Sequence, residues 1–515
     1  MKKKKLFQDL DLFSMLIPLG IVSVLCVLFI ALPQRTTALV DGVRGFLGEN
    51  LGVYYLLFGV ASLGVSLFFA FSRIGRIRLG QAEKPEYTNF QWGAMIFTST
   101  MAADILYYSF IEWALYAQED RVAQLGSMQD WASTYPIFHW GPIPWSFYVV
   151  LAVCFAFMLQ VRGREKQKFS EACRPLLGRR VDGAWGRVID LIAVFALLAG
   201  TATTFSLATP LLGQAISHIT GLPATTWLTV AVLVFIAVLY TVAVLFSFKG
   251  IVFAAKLCIW LFGALLVWFL AGGQARYILE TGVAALGNLA QNFIGLATYT
   301  DPLRQTGFVQ NWTVFYWAYW MVWCVATPFF IGTISKGRTI RNVVLGAYLS
   351  GLAGTYTSFI VFGNYGLGLQ THGRLDVLGQ LAGGAAMPQV IIDIFGTLPL
   401  PAVALVLLIL TMCAFYSTTF DSLTMVISMY SCRMLKPGAV PPKGVRAFWA
   451  VVFIIFPIGL IFAQNSLNSL QSVSIIAALP ISVVMVLIVA AFLKDVRAYL
   501  KQGGREEGGG PGQSG

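Results

Sequence analysis

The chain has 515 residues, 57% of them hydrophobic and only 11% charged, with a mean hydropathy of +0.75. A soluble domain carries about 25% charged residues, so the composition excludes that class and specifies a polytopic membrane protein. The net charge of +12 is not a nucleic-acid footprint, because the basic residues fall in alternate loops instead of one patch.

Twelve apolar stretches reach the ~20 residues needed for one crossing. They lie near 12–32, 51–72, 90–117, 137–160, 185–213, 225–247, 250–272, 311–334, 341–365, 398–430, 446–463 and 471–493. Lys and Arg cluster after the second, fourth, sixth, eighth, tenth and twelfth of them, as in Arg162, Arg164, Lys166 and Lys168. The positive-inside rule then expects both termini in the cytoplasm. Seven cysteines show no CxxC spacing, which argues against disulfides and a structural metal.

In chain order, residues 1–11 form a short basic arm, and spans one and two (12–89) read as peripheral helices facing lipid. The third span differs: Thr98, Ser99, Thr100, Asp104 and Glu112 sit in an otherwise apolar helix. An ionisable group at mid-membrane costs about 2.5–3.5 kcal/mol on insertion scales, so it faces protein or water and is a functional candidate. Asp104 is the deepest. Glu112 reads as a partner for an outer Arg or a helix end. Span four opens with FHWGPIPWSFY (138–148), where Gly141, Pro142 and Pro144 break the helix among Trp140, Trp145 and Tyr148. Such irregularity at membrane depth is tolerated only under protein or a water cavity. His139 is expected to be hydrogen-bonded in place.

Span five carries Thr201, Thr203, Thr204 and Ser206, and span seven carries Lys256 within snorkelling reach of the cytoplasmic side. Residues 278–296 and 373–396 read as amphipathic surface helices. Span ten holds the hydroxyl cluster CAFYSTTFDS (413–422), and the 494–515 tail is disordered by composition. In span eight, Trp312, Tyr316, Tyr319, Trp320 and Trp323 fall on one helical stripe. Two readings fit that stripe: ring faces enclosing a cation without hydrogen-bond donors, or packing and an interfacial belt.

FHWGPIPW at 138–145 with WTVFYWAYW and ISKGRTIR at 312–341 resembles the betaine/choline/carnitine transporter family, in register over nearly all spans. The resemblance implies an all-α integral membrane fold with LeuT-like inverted five-helix repeats. These would be 90–272 (spans 3–7) and 311–493 (spans 8–12), joined by a 273–310 linker bearing a surface helix. It implies a quaternary ammonium substrate, a homotrimer and a bacterial inner membrane. Its aromatic box would be Trp140, Trp145, Tyr148, Trp320 and Trp323, with Tyr319, Asp104 and Met101 against the substrate. Trp312 and Tyr316 match an outer-lying second site of some members. A sodium site would use Thr98, Met101, Phe415, Thr418 and Thr419. A second ion position would draw on Thr201, Thr204 and Ser206, with Lys256 nearby as a stand-in cation.

Two departures from the family pattern stand out. The usual Trp-Trp pair is Tyr319-Trp320, and the glycine-rich run of span three reads Thr100-Met101-Ala102-Ala103-Asp104. A carboxylate there suits a bare +1 cargo and repels a zwitterion's own carboxylate, so choline is expected ahead of betaine, carnitine or γ-butyrobetaine. Asp104 could equally be a proton-coupling group. No catalytic or cofactor spacing is present, and transport is expected over an enzyme or a non-transporting sensor; sodium or a proton would be the coupling ion.

Overall fold

The computed structural model describes residues 10–101, 104–164, 166–246, 251–433, 440–462 and 467–508. The Lys run at 2–5, Lys249, Lys436 and residues 509–515 lie outside them. The described chain is almost entirely helical. Its main helices are α1 Leu12–Ala31, α2 Pro33–Phe71, α3 Asn89–Thr100, α4 Asp104–Ala117, α5 Met128–His139, α6 Pro142–Ala156, α7 Ala184–Thr220, α8 Thr226–Phe246 and α9 Ile251–Ala271. There follow α10 Ala275–Thr298, α11 Val314–Trp323, α12 Thr327–Ile334, α13 Ile340–Ser358, α14 Asn364–Thr371, α15 Met387–Gly396, α16 Pro401–Tyr430, α17 Lys443–Phe462 and α18 Leu467–Gly508.

Among the described residues, nine helices are long and apolar enough to cross a membrane, or eleven when two bent pairs each count as one span. The stretch expected as span six is helical over Thr226–Phe246, but only its Thr226–Val238 part registers, as a shorter apolar helix. The bent pairs are α3 with α4, at 69°, and the segment Val309–Trp323 with α12, at 52°. They are the opening helices of the two expected five-helix units.

The apolar windows of α1 and α2 are each 33% buried and that of α9 is 28% buried, whereas that of α7 is 78% buried. The α7 helix packs against α16, α17 and α18, and α11 packs on α18 and α7. The windows of spans one and two are mostly exposed, in keeping with the peripheral place expected of them.

Several boundaries differ from the sequence expectations. The α2 helix starts at Pro33, one residue after α1 ends, well before the expected 51. Proline cannot continue one helix but is pre-set to begin another. The 373–396 segment is two short helices, Val377–Ala382 and α15, parted at Gly384 with φ +84°. The C-terminal segment expected to be disordered from 494 continues as helix to Gly508. Asp495 anchors it, accepting from Arg162 Nε at 3.0 Å and Arg164 Nη2 at 2.9 Å. Two basic partners on one carboxylate hold the last turns where composition alone predicts none.

Candidate functional site

The break in span three is where the site begins. The α3 helix ends at Thr100 and α4 starts at Asp104, with the Met101 N–H donating to the Phe97 carbonyl at 2.9 Å at the end of α3. Asp104 becomes the first residue of α4, where the helix dipole favours negative charge. Span four breaks at Gly141. A Cβ there would lie 2.6 Å from the Ile137 carbonyl oxygen, so only glycine lets the backbone approach so closely. Pro142 then starts α6, and Thr355 Oγ1 donates to the Trp140 carbonyl at 3.0 Å.

These breaks and α11 surround one small cavity lined by Thr100, Met101, Asp104, Trp140, Tyr148, Tyr319, Trp320 and Trp323. Its volume is about 10 Å³, room for about one water. The rings of Trp140 and Tyr148 stand 5.5 Å and 5.0 Å from that of Trp320, at 72° and 40° to it, as adjacent walls. A trimethylammonium group enters only if these walls separate.

Of the residues named from sequence, seven therefore meet at one place: Met101, Asp104, Trp140, Tyr148, Tyr319, Trp320 and Trp323. Trp145 does not line the cavity. Its ring lies behind, 5.4 Å from Trp320 and 5.9 Å from Tyr148, seated over Gly351, where a Cβ would come within 2.4 Å of it. Thr100, not anticipated as lining, is on the wall.

The aromatic stripe of span eight meets a row of three acids, two on span three and one just past its end. Trp312 Nε1 donates to Glu119 at 2.7 Å, Tyr316 Oη donates to Glu112 at 2.6 Å, and Tyr319 Oη donates to Asp104. Both residues expected at an outer site thus have their donors committed. Glu112 is fully buried and also accepts from Tyr116 Oη at 2.7 Å and Trp140 Nε1 at 2.9 Å. Its partners are neutral donors, not the expected Arg or helix end. His139 Nδ1 lies 2.6 Å from Tyr116 Oη, and its Nε2 lies 3.0 Å from Thr313 Oγ1. Tyr116 spends its single proton on Glu112, so His139 donates to it and is hydrogen-bonded in place as expected. Outside the membrane-spanning segments, burial pushes the Glu119 carboxyl above its usual range, partly offset by Trp312.

The five sodium-site candidates also converge. Thr418 Oγ1 donates to the Thr98 carbonyl at 3.0 Å and the Phe415 carbonyl at 3.0 Å, and Thr419 Oγ1 donates to the Met101 carbonyl at 3.4 Å. All five groups are oxygens, two of them carbonyls beside the helix break, which suits a hard cation.

The second ion position does not assemble. Thr201 bonds back to the Leu198 carbonyl at 3.0 Å, and Ser206 points to the Pro457 carbonyl at 3.4 Å. Thr204 instead bonds Tyr319. Thr204 and Ser206 are two residues apart, so they project about 200° apart around α7. Lys256 is half-buried on α9, which packs chiefly on α16 and α3.

Broken helices meeting at a buried cavity are the arrangement of membrane carriers, and the fold and site define a multi-pass membrane transport protein, not an enzyme. The chain matches the model of the BCCT family, described as betaine/carnitine/choline family transporter, over residues 13–501, and it belongs to that family. It is 29% identical over 477 residues to the glycine betaine transporter OpuD of Bacillus subtilis, covering 90% of each chain. It is 26% identical over 442 residues to a carnitine transporter of Acinetobacter baumannii, covering 84% of this chain and 79% of that one. Among solved structures, it resembles a substrate-bound, outward-open Na+-coupled sialic acid symporter at 12% identity and TM-score 0.42, over 87% of this chain and 86% of the other.

Proposed function

We propose that the protein is a secondary active transporter that carries a quaternary ammonium cation by alternating access, choline ahead of betaine, carnitine and γ-butyrobetaine. The observation that carries this reading is Asp104. Its carboxylate lines an aromatic cavity, and among the described residues no Lys, Arg or His lies within ion-pair distance of it. A cationic cargo supplies the missing charge. Trp140, Tyr148, Trp320 and Trp323 present the ring faces for its methyl groups, with Trp145 buttressing Trp320 from behind.

The magnitudes favour this division of labour. Three or four cation–π contacts at about 0.5–2 kcal/mol each give roughly 1.5–8 kcal/mol before the cost of ordering the cargo. Millimolar to micromolar affinity needs about 4.1–8.2 kcal/mol, so the rings alone reach the tight end only if all four act at full strength. A carboxylate about 4 Å from the cation adds about 4 kcal/mol at an effective dielectric of 20. The same field opposes a zwitterion whose own carboxylate points at Asp104. The relatives named for glycine betaine and carnitine make such zwitterions the second reading.

Sodium bound by the Thr98, Met101 and Phe415 carbonyls with the Thr418 and Thr419 hydroxyls is the coupling ion we favour, with a proton on Asp104 as the alternative. Sodium there would fix α3 against α16 and so hold the helix break in shape. We also propose a homotrimer in a bacterial inner membrane with both termini cytoplasmic. The exposed apolar face of α10, with Leu279, Val283 and Ile294, is the surface offered to neighbouring copies.

The test is labelled choline uptake into proteoliposomes under an inward sodium gradient, a proton gradient, neither, or preloaded unlabelled choline. The reading predicts accumulation with sodium, suppressed more by choline than by betaine or carnitine. Binding without accumulation under every condition would make the protein a sensor and overturn it.

A further inference from the structure

We infer that Tyr319 is the positioning residue that makes Asp104 selective, and that Thr204 sets the direction of its hydroxyl. The inference rests on the quaternary ammonium reading above. Three separate spans contribute. Asp104 stands at the helix break of span three, Tyr319 on α11 of span eight, and Thr204 on α7 of span five. Tyr319 Oη donates to Asp104 Oδ2 and is itself hydrogen-bonded to Thr204 Oγ1.

The proton count fixes the direction of this chain. A phenol has one proton, and a carboxylate can only accept. Tyr319 therefore gives its proton to Asp104, and Thr204 gives its own to Tyr319. All three groups are buried. In a cavity of about 10 Å³ no bulk water replaces a lost partner. The carboxylate is thus held at one azimuth against the cavity wall by a donor that itself cannot rotate freely.

This arrangement couples two positions that look unrelated in the sequence. An indole at 319 could donate but could not accept from Thr204, and its greater bulk would compete for the space Asp104 fills. A phenylalanine would keep the ring and leave both Asp104 and Thr204 without this partner. Selection against a cargo carboxylate depends on where the fixed negative charge stands, so loosening Tyr319 blurs the choice between cation and zwitterion.

The experiment is a thermodynamic cycle on the full-length protein in detergent, reading choline and glycine betaine binding by calorimetry and thermal stability in parallel. Tyr319→Phe is expected to weaken choline binding about tenfold, the loss of one charge-assisted hydrogen bond, and to lower the choline-to-betaine preference. In an Asp104→Gly background the same change should have about a twofold effect or less, because interacting residues are not additive. Thr204→Val should repeat the pattern more weakly, at about threefold. An equal Tyr319→Phe effect with and without Asp104 would overturn the inference. So would an unchanged choline-to-betaine preference in Tyr319→Phe. Failure of the wild-type protein to bind either compound would instead overturn the quaternary ammonium reading itself. Should Asp104→Gly not fold, Asp104→Asn serves in its place.

Discussion

Two carboxylates on the same helix do opposite jobs. Glu112 lies inside α4 and takes donors from Tyr116, Trp140 and Tyr316. Asp104, at the start of that helix, accepts from Tyr319, has the Thr204 hydroxyl and the Ile105 backbone N–H as further partners, and has a cavity in front of it. Neither has a basic partner among the described residues. A buried acid saturated by neutral donors is structural cross-linking: it ties spans three, four and eight and orients Trp140. In the function proposed above, a buried acid facing a cavity is held for a cationic cargo. The lesson is that depth in the membrane does not distinguish the two; the cavity in front of Asp104 does.

Substitutions can break this contrast, and the largest effect concerns the wall both acids serve. Trp320→Ala should abolish choline uptake, while Trp320→Phe should retain a measurable fraction, because a smaller ring still offers a π face. Equal loss in both would make the ring mere packing.

Next in size, Glu112→Ala strands three buried donors at about 1–3 kcal/mol for each unpaired group. It should lower the thermal midpoint clearly, whereas Asp104→Ala, which leaves Tyr319 and Thr204 hydrogen-bonded to each other, should lower it less. The reverse order would erase the distinction between the acids. Asp104→Gly should act on selectivity: choline uptake falls and the ratio of betaine to choline rises. Thr418→Ala and Thr419→Ala should raise the sodium concentration needed for half-maximal uptake while leaving sodium-free choline binding close to wild type.

The smallest effect is at the outer end of the row. Burial raises the Glu119 carboxyl's protonation range, so its neutral form is the one folding favours. Wild-type stability should therefore slip slightly as pH rises through the range where Glu119 ionises. Glu119→Gln should remove that slope, read from thermal midpoints across pH.

Much of this was legible from residue types and spacing. The span-eight stripe, the depth of Asp104 and the glycine–proline break in span four all point to the cavity without coordinates. What was not legible depends on side chains reaching between spans. The family resemblance put Trp145 in the box with Tyr148, but only the fold shows that Gly351 makes room for it behind Trp320. Glu112 reads from sequence as a partner for an outer Arg or a helix end, because sequence cannot reveal that Tyr116, Trp140 and Tyr316 converge on it. Thr201, Thr204 and Ser206 looked like one hydroxyl cluster, yet α7 turns Thr204 toward Tyr319 and Ser206 toward Pro457. The helical tail after 494 was missed because its hold comes from Arg162 and Arg164, more than three hundred residues away.

The most direct measurement is an experimental structure of the protein saturated with choline. The account predicts the trimethylammonium nitrogen within about 6 Å of the ring centres of Trp140, Tyr148, Trp320 and Trp323, beside a carboxylate of Asp104 still bonded to Tyr319. Choline bound elsewhere, with these rings closed on one another as before, would contradict it.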